Sequence, residues 1–301
     1  MIKMEALRFK KKRRRVRLTF RRTVGILLIE RISRERQQLE GAAEMSEDLS
    51  PILKAWHYNP TDEKSNVRVV VGGDGHLKVQ LRVRFGILEL HADGCPETGG
   101  ESELDRLRRE LASHRARKGS EQDFSINAMR TAQASQELMD YYQRRVCFFL
   151  LADYRRAMRD AEHNLELMAM LKKYSSDEQA AFSHDRYRAF VMMDRARAAA
   201  MLAVEQDDVD LAVSEIDEAM AAIEDFYREY SQEQLIESSK ELEILGELKE
   251  DLRKDYNIPL SDSERVEALK EEQARAIARE QYEKAARLRD EIAELEKRLS
   301  G

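Results

Sequence analysis

Hydrophobic residues alternate with polar ones on both sides of a glycine-rich segment, residues 72–75. An alternation of period two places one set of side chains on each face of a β-strand, and a Gly/Asp segment between two such runs favours a tight turn. The pattern therefore predicts a β-hairpin with one apolar face. That face carries Val67, Val69 and Val71 on the first strand and Leu77, Val79, Leu81, Val83 and Phe85 on the second.

The opposite face of this predicted hairpin is polar and basic. Gly86 interrupts the alternation before Ile87, which we interpret as a bulge or bend. Because an isolated hairpin is barely stable, we expect its apolar face to pack against Trp56 and a helix. The residues assigned to the solvated basic face are Lys78, Gln80, Arg82 and Arg84.

Helical spacing dominates the chain after residue 100. Leu104, Leu107 and Leu111 predict a short helix, which a linker follows near residues 118–120. From residue 132 to residue 256 the chain is predicted to be helical throughout. The first expected helix covers residues 132–151, and the second begins after a cap at Asp153. The third is a single long helix after residues 175–177, with Phe182, Tyr187 and Leu202 on one stripe. The fourth has an apolar face that runs from Leu211 to Ile223.

The second and fourth of these helices begin alike, after Asp153 and after Asp208, and both are rich in alanine. Small alanines let paired helices approach closely, and the arrangement resembles tetratricopeptide repeats, although its period is longer than their roughly 34 residues. That resemblance implies a grooved binding face. A plain antiparallel helix bundle, whose apolar faces are all core, is the alternative interpretation.

The last forty residues have a different pattern. Pro259 ends the preceding helix, and Ser261 or Asp262 is placed to cap a new one, with Glu264 shortly after as in a capping box. The chain is predicted to reverse near residues 280–281. The expected inner face holds Val266, Leu269, Gln273, Ala276 and Ile277 on the first helix and Ala285, Leu288, Ile292, Leu295 and Leu299 on the second.

These patterns predict a mainly α protein in four parts. A basic disordered arm covers residues 1–45, and a small β-containing domain with a linker covers residues 46–130. A tetratricopeptide-like helical body covers residues 131–258. An antiparallel helical hairpin covers residues 261–301.

Composition agrees with long, solvated helices. The chain has 301 residues, 37% of them charged, with 12 Gly and 4 Pro, which excludes a β-sandwich or a collagen. The net charge of −6 is unevenly distributed, since residues 1–36 contain 14 Lys and Arg against 3 acidic residues. The rest of the chain is acidic. No run of eighteen apolar residues is present, so we expect no membrane-spanning segment and no membrane partner.

The basic arm has several interpretations. Its charge suits non-specific contact with phosphates, and a basic amphipathic start also suits a transit peptide or surface anchor. A disordered tail is the simpler interpretation. Another is that translation begins at Met45, where the composition changes abruptly.

Candidate chemistry is scarce. The glycines at residues 72–75 precede a strand rather than a helix, so we predict a turn rather than a phosphate-binding loop. His91 and Cys95 form the closest metal-like pair, but two ligands do not make a zinc site. Cys147 is predicted to be core, and two cysteines favour a reducing cytoplasm. We therefore predict no enzyme, no cofactor and no metal site.

The segment from Glu280 to Ile292 resembles the UVR motif of the UvrB and UvrC excision-repair subunits, which also occurs in ClpC-type chaperones and McsA-type regulators. The resemblance implies a helical hairpin that contacts a protein partner, commonly another such hairpin. Gln273 departs from the pattern, which usually has an apolar residue there. The partner-binding residues implied are Leu269, Ile277, Tyr282, Glu283, Ala285, Ala286, Arg289, Asp290, Ile292 and Leu295.

The leading functional hypothesis is thus a cytoplasmic, non-enzymatic adaptor that binds another UVR hairpin, a second copy of itself or another protein. Two alternatives come from the same resemblance. One is a nucleic-acid-associated factor in excision repair that uses the basic arm or Arg82 and Arg84, which the acidic body disfavours electrostatically. The other is a regulator of a Clp-type chaperone or a protein kinase.

Overall fold

The computed structural model describes residues 49–260 and 262–299. It forms two compact units, of which the first ends at Asp93 and the second begins at Gly94. The predictions about residues 1–45 concern a segment outside the described residues. Residues 94–130 belong to the second unit. The predicted division into four parts stays a prediction.

The first unit contains a three-stranded antiparallel sheet in the order β1-β2-β3. Val69 pairs with Val79, and Val79 pairs with Leu90, so these three apolar side chains share one face. The turn between β1 and β2 is closed by a 2.8 Å bond from the Gly72 N–H to the His76 carbonyl, which confirms the predicted hairpin. The elements are helix α1 (Ser50–Ala55), a 3-10 turn (Glu63–Asn66), β1 (Val67–Val71), β2 (Leu77–Val83) and β3 (Gly86–His91).

At Gly86, where a bulge or bend within one strand was predicted, the chain instead reverses, and Gly86 is the first residue of β3. It pairs with Val83 across a two-residue turn made by Arg84 and Phe85. This turn lacks the Gly, Asn or Asp that marks most tight hairpin turns. The Arg82 guanidinium holds it instead, since Nη1 donates to the carbonyls of Val83 and, at 3.0 Å, of Gly86.

The polar face of the sheet also differs from the prediction. Arg82 is buried and donates from Nε to the Trp56 carbonyl at 2.7 Å. Trp56 lies on this face rather than over the apolar one, with its ring centre 4.1 Å from the guanidinium carbon of Arg68. Lys78 is 3.2 Å from Glu89, so acidic partners compensate charge that the sequence alone presents as basic.

The second unit is helical. Side chains of Ser, Asn or Asp cap several of its helices, and the predicted cap at Asp153 is confirmed by a 3.2 Å bond from the Arg156 N–H. The helices are α2 (Glu103–Lys118), α3 (Ala128–Leu150), α4 (Tyr154–Tyr174), α5 (Glu178–Asp185), α6 (Arg188–Glu205), α7 (Val209–Glu229), α8 (Lys240–Tyr256), α9 (Asp262–Ala278) and α10 (Tyr282–Leu299), with a 3-10 turn at Glu233–Ser238.

The single long helix predicted after residues 175–177 is wrong, because α5 ends at Asp185 and α6 begins at Arg188. Asp185 is buried and accepts hydrogen bonds from Arg188 at 2.6 Å and from the Tyr230 hydroxyl. Burial raises the pKa of Asp185, but these bonds lower it below its ordinary value. The interruption between α5 and α6 therefore places the buried Asp185 carboxylate next to hydrogen-bond donors. Phe182 and Tyr187, on either side of Asp185 in the sequence, are exposed.

Among the described residues, two apolar cores join the helices from α2 to α8. One joins α2 to α4 and α6 through residues such as Leu107, Leu171 and Val191. The other joins α6, α7 and α8 through residues such as Met193 and Ile216. Alanines of α6 lie in the second core, where small side chains permit close helix packing. The similarity to tetratricopeptide repeats stays a prediction.

Candidate protein-interaction hairpin

Helices α9 and α10 form an antiparallel hairpin whose chain reversal lies at residues 279–281. Glu280 has a positive φ of 58° there, and the Gln281 N–H donates to the Ala276 carbonyl at 2.9 Å. A single residue in the left-handed region followed by such a bond ends a helix sharply. The predicted reversal is confirmed.

The seam between the two helices is apolar along its length. Val266 packs against Ile292 and Leu295, and Ala276 packs against Ala285 and Leu288. Leu269 is half-buried and contacts both groups, so it links them into one seam. The small Ala276 and Ala285 face each other near the bend, where the helices come together. The predicted inner-face positions are thus confirmed for Val266, Leu269, Ala276, Ala285, Leu288, Ile292 and Leu295. The partner-binding role implied for Leu269, Ala285, Ile292 and Leu295 stays a prediction.

Gln273, the departure from the usual motif, has a specific partner in the seam. Its side-chain Nε2 donates to the main-chain carbonyl of Ala285 at 3.2 Å. A half-buried amide with such a partner avoids the penalty of an unsatisfied polar group. Because this bond crosses between the helices at a single position, it also favours one register of α9 against α10.

Ion pairs flank the seam on its solvent side. Lys284 lies 2.6 Å from Glu272, and Lys270 lies 3.0 Å from Glu296. The hydrogen bond from Lys284 lowers the pKa of the Glu272 carboxyl. All four side chains are well exposed, so solvent screens these pairs and the apolar seam provides most of the stability.

The remaining residues of the implied binding set lie outside the seam. Tyr282 is 67% exposed, and Ile277, expected on the inner face, is 52% exposed. Ala286, expected to bring the helices together, is also exposed. Arg289 and Asp290 form an ion pair of 2.8 Å with each other, and each side chain is 70% exposed. Glu283 likewise faces solvent.

Several of these exposed residues lie on one side of α10. Tyr282, Ala286 and Arg289 follow the spacing i, i+4, i+7, which places them in a row along the helix. Ala293 continues the row and is exposed as well. We call Tyr282, Ala286, Arg289 and Ala293 the outer stripe. It presents an aromatic ring, two methyl groups and a cation next to the Asp290 carboxylate.

A charged network connects the hairpin to the preceding helix. Glu264 of α9 accepts hydrogen bonds from Lys249 and Arg253 of α8, and Lys249 also pairs with Asp217 of α7. Arg253 is only 10% exposed, and the bond to Glu264 raises its pKa. A capping role of Glu264 with Ser261 concerns a residue outside the described part of the chain.

Comparison with known proteins identifies this hairpin. A model of the UvrB/uvrC motif, UVR, matches residues 263–298. The C-terminal hairpin is a UVR motif. No curated protein matches the chain, and no solved structure matches it.

The UVR hairpin was predictable from its heptad spacing and motif letters, whereas three of its features were not. They are the Gln273 bond to Ala285, the Glu264 network and the extension of the outer stripe to Ala293. The only feature of the sequence that pointed to a role for Glu264 was its position in the first turn of a predicted helix. Its actual partners, Lys249 and Arg253, lie across a proline-containing link and give no periodic pattern.

Other predicted sites are quickly placed. Cys147 is buried as predicted, and burial raises the pKa of its thiol to about 12. Within residues 49–260 and 262–299, no three His, Cys, Asp or Glu side chains are arranged to hold a metal ion. None of the helices in that part of the chain combines the length and apolar character needed to cross a bilayer.

Proposed function

We propose that this protein is a non-enzymatic adaptor that binds a protein partner through the outer stripe of its UVR hairpin. The observation that carries the proposal is that only some residues of the motif are buried in the hairpin seam, whereas others are exposed. Ala285, Ile292 and Leu295 are used by the hairpin itself, whereas Tyr282 and Arg289 are exposed and add nothing to its seam. Residues of a short motif that do not stabilise its own fold are candidates for contact.

The chemistry of the outer stripe favours a helical protein surface as partner. Alanines permit close approach of a second helix, and Tyr282 supplies a large side chain that is buried at little entropic cost. The neighbouring Arg289 and Asp290 can exchange their mutual ion pair for pairs with a partner, which would set its orientation. Another UVR hairpin, including one from a second copy of this chain, has these properties.

The nucleic-acid alternative has less support. Arg82 donates to main-chain carbonyls of its own unit, and Lys78 lies close to Glu89. Of the two arginines that the sequence offered to DNA, Arg82 is therefore engaged within its own unit and Arg84 is exposed. The net charge outside residues 1–36 is acidic, which disfavours DNA binding. The other alternative, a regulator of a chaperone or a protein kinase, would act through the same contact of the hairpin with a protein partner. The unpaired thiols Cys95 and Cys147 suit a reducing cytoplasm as the compartment.

Quantitative affinity capture with full-length bait tests the proposal. Arg289→Glu and Tyr282→Ser should each reduce recovery of the captured partner by roughly tenfold or more, as expected at a contact hot spot. Arg275→Glu is the matched control, because Arg275 is 66% exposed on the other helix of the same hairpin. Unchanged recovery after removal of residues 261–301 would refute the proposal. Sedimentation velocity of the same variants separates self-association from binding to another protein.

A further inference from the structure

Helix α2 packs in a groove between α3 and α4. Its apolar contacts come from Leu104, Leu107 and Leu111, which are spaced i, i+3, i+7 and are all buried. They join a core lined by α3 and α4, with Leu138 and Leu171 among its members. Most other residues of α2 are charged. A helix of this kind has little stability alone, so its order depends on the groove.

The groove recognises the beginning of α2. The Glu137 carboxylate of α3 accepts the main-chain N–H groups of Glu103, at 2.5 Å, and of Leu104, at 3.1 Å. His163 of α4 lies 2.8 Å from the same carboxylate. The first N–H groups of a helix have no partner within it and carry partial positive charge, so a buried carboxylate there selects a helix end. This contact does not depend on the side chains of the seated helix.

The groove also recognises charge along α2. Arg130 of α3 donates to Glu103 and, at 2.9 Å, to Glu110. Glu166 of α4 accepts from Arg108 at 2.6 Å. The groove is thus complementary to a helix with an acidic first turn, a basic residue about one turn later and three apolar residues on one side.

The C-terminal half of α2 is only partly enclosed by the groove. A shallow cleft of about 500 Å³, open to solvent, lies between it and α4. Its lining combines apolar and charged side chains, which are Arg108, Leu111, Ala112, Arg115, Glu166, Ala169, Met170, Lys173 and Tyr174. The N-terminal half of α2, with the Glu137 bonds to its first N–H groups, is therefore the part that the groove holds most closely.

From these observations we propose that the α3–α4 groove is a helix-binding site that α2 occupies in cis. Its other occupant is an amphipathic helix from a different protein, with apolar residues at i, i+3, i+7, an acidic first turn and a basic residue one turn later. Tethering gives α2 an effective concentration on the order of millimolar, so α2 acts as a built-in competitor. The proposal is independent of the UVR hairpin.

Hydrogen exchange of the unaltered full-length chain gives the first test. Amides of α2 should exchange through a partial opening that leaves α3 and α4 protected, as expected for a separable element. Exchange of all three helices in one common transition would overturn the proposal. This measurement does not depend on whether any variant folds.

A peptide of residues 101–119 with a fluorescent label gives the second test. It should bind full-length Leu107→Asp, whose own α2 no longer fits the groove, roughly tenfold or more tightly than it binds the unaltered chain. Ser113→Asp is the matched control, because Ser113 is exposed on the same helix and its variant should resemble the unaltered chain. A peptide that itself carries Leu107→Asp should not bind.

Two further results would overturn the proposal. One is absence of peptide binding to a Leu107→Asp chain whose circular dichroism shows that the other helices are intact. The other is a concentration-dependent dimer of the unaltered chain that is lost in Leu107→Asp, which would assign the groove to α2 of a second copy.

Discussion

Arg144 of α3 and Asp160 of α4 form a two-bond ion pair in which neither side chain is exposed to solvent. Nε donates to Oδ2 at 2.7 Å and Nη2 donates to Oδ1 at 2.8 Å. The adjacent Arg145 points to a different helix and donates to Asp194 of α6 at 3.0 Å. Two consecutive arginines therefore tie α3 to two neighbours.

Removing one partner of the buried pair should be strongly destabilising. Asp160→Asn leaves the Arg144 charge uncompensated inside the protein, and we expect the free energy of unfolding to fall by about 3–5 kcal/mol. Urea denaturation followed by circular dichroism measures it. Asp290→Asn, in the exposed pair with Arg289, is the matched control and should change stability by less than about 0.5 kcal/mol. Equal effects of the two substitutions would contradict this account.

Glu137 should make stability depend on acid pH. Burial raises the pKa of Glu137, but bonds from His163 and from the Glu103 N–H lower it below its ordinary value of 4.5. Because the folded pKa is the lower one, this stabilisation is present above pH 4.5 and is lost as pH falls through the folded pKa. Glu137→Gln should reduce the free energy of unfolding at pH 7 by roughly 2 kcal/mol. It should also flatten the acid limb, which is the fall of the unfolding free energy below pH 4.5. Glu110→Gln, at an exposed position, should keep that limb, and an unchanged limb in Glu137→Gln would argue against the role of Glu137.

The Arg82 guanidinium should be required for the turn between β2 and β3. Arg82→Lys keeps the charge but loses the planar fork that reaches the Trp56 and Gly86 carbonyls, so we expect a loss of about 1–3 kcal/mol. Thermal unfolding of the full chain measures it. Arg84→Lys is the control, since Arg84 is exposed in the same turn and should tolerate the change. Comparable losses in both variants would show that the Arg82 fork and its bonds to the Trp56 and Gly86 carbonyls have no special role in the turn.

The Gln273 amide should contribute to the UVR hairpin through its bond to Ala285. Gln273→Ala should lower the stability of the hairpin by about 1 kcal/mol, whereas Gln273→Leu should restore most of it by adding apolar contact to the seam. Hydrogen exchange of the α10 amides reports on this local stability. Glu271→Ala, on the exposed side of α9, controls for the change in side-chain length. Faster exchange in the Leu variant than in the Ala variant would be inconsistent with an apolar seam.

Local periodicity predicted much of the architecture. The β1–β2 hairpin, the helical unit and the C-terminal hairpin all follow from spacings of two or of three and four, because each spacing determines which side chains share a face. The UVR motif was recognisable in the same way. Positions such as Ala285 and Ile292 repeat with the seam, whereas Ile277 and Ala286 lie at its margin, where a pattern does not distinguish a buried side from an exposed one.

Tertiary structure decided how charges are used. Nothing in the sequence separates Arg82, which is buried, from Arg84, which is exposed, since both interrupt an apolar run. Arg144 and Arg145 differ by about 100° around their helix, so they face different neighbours that only the packed bundle provides. By itself the sequence determined the elements and their apolar faces, because those depend on residues close along the chain. The pairing of buried charges and the seating of α2 required contacts between residues far apart in sequence, which become neighbours only after the helices pack.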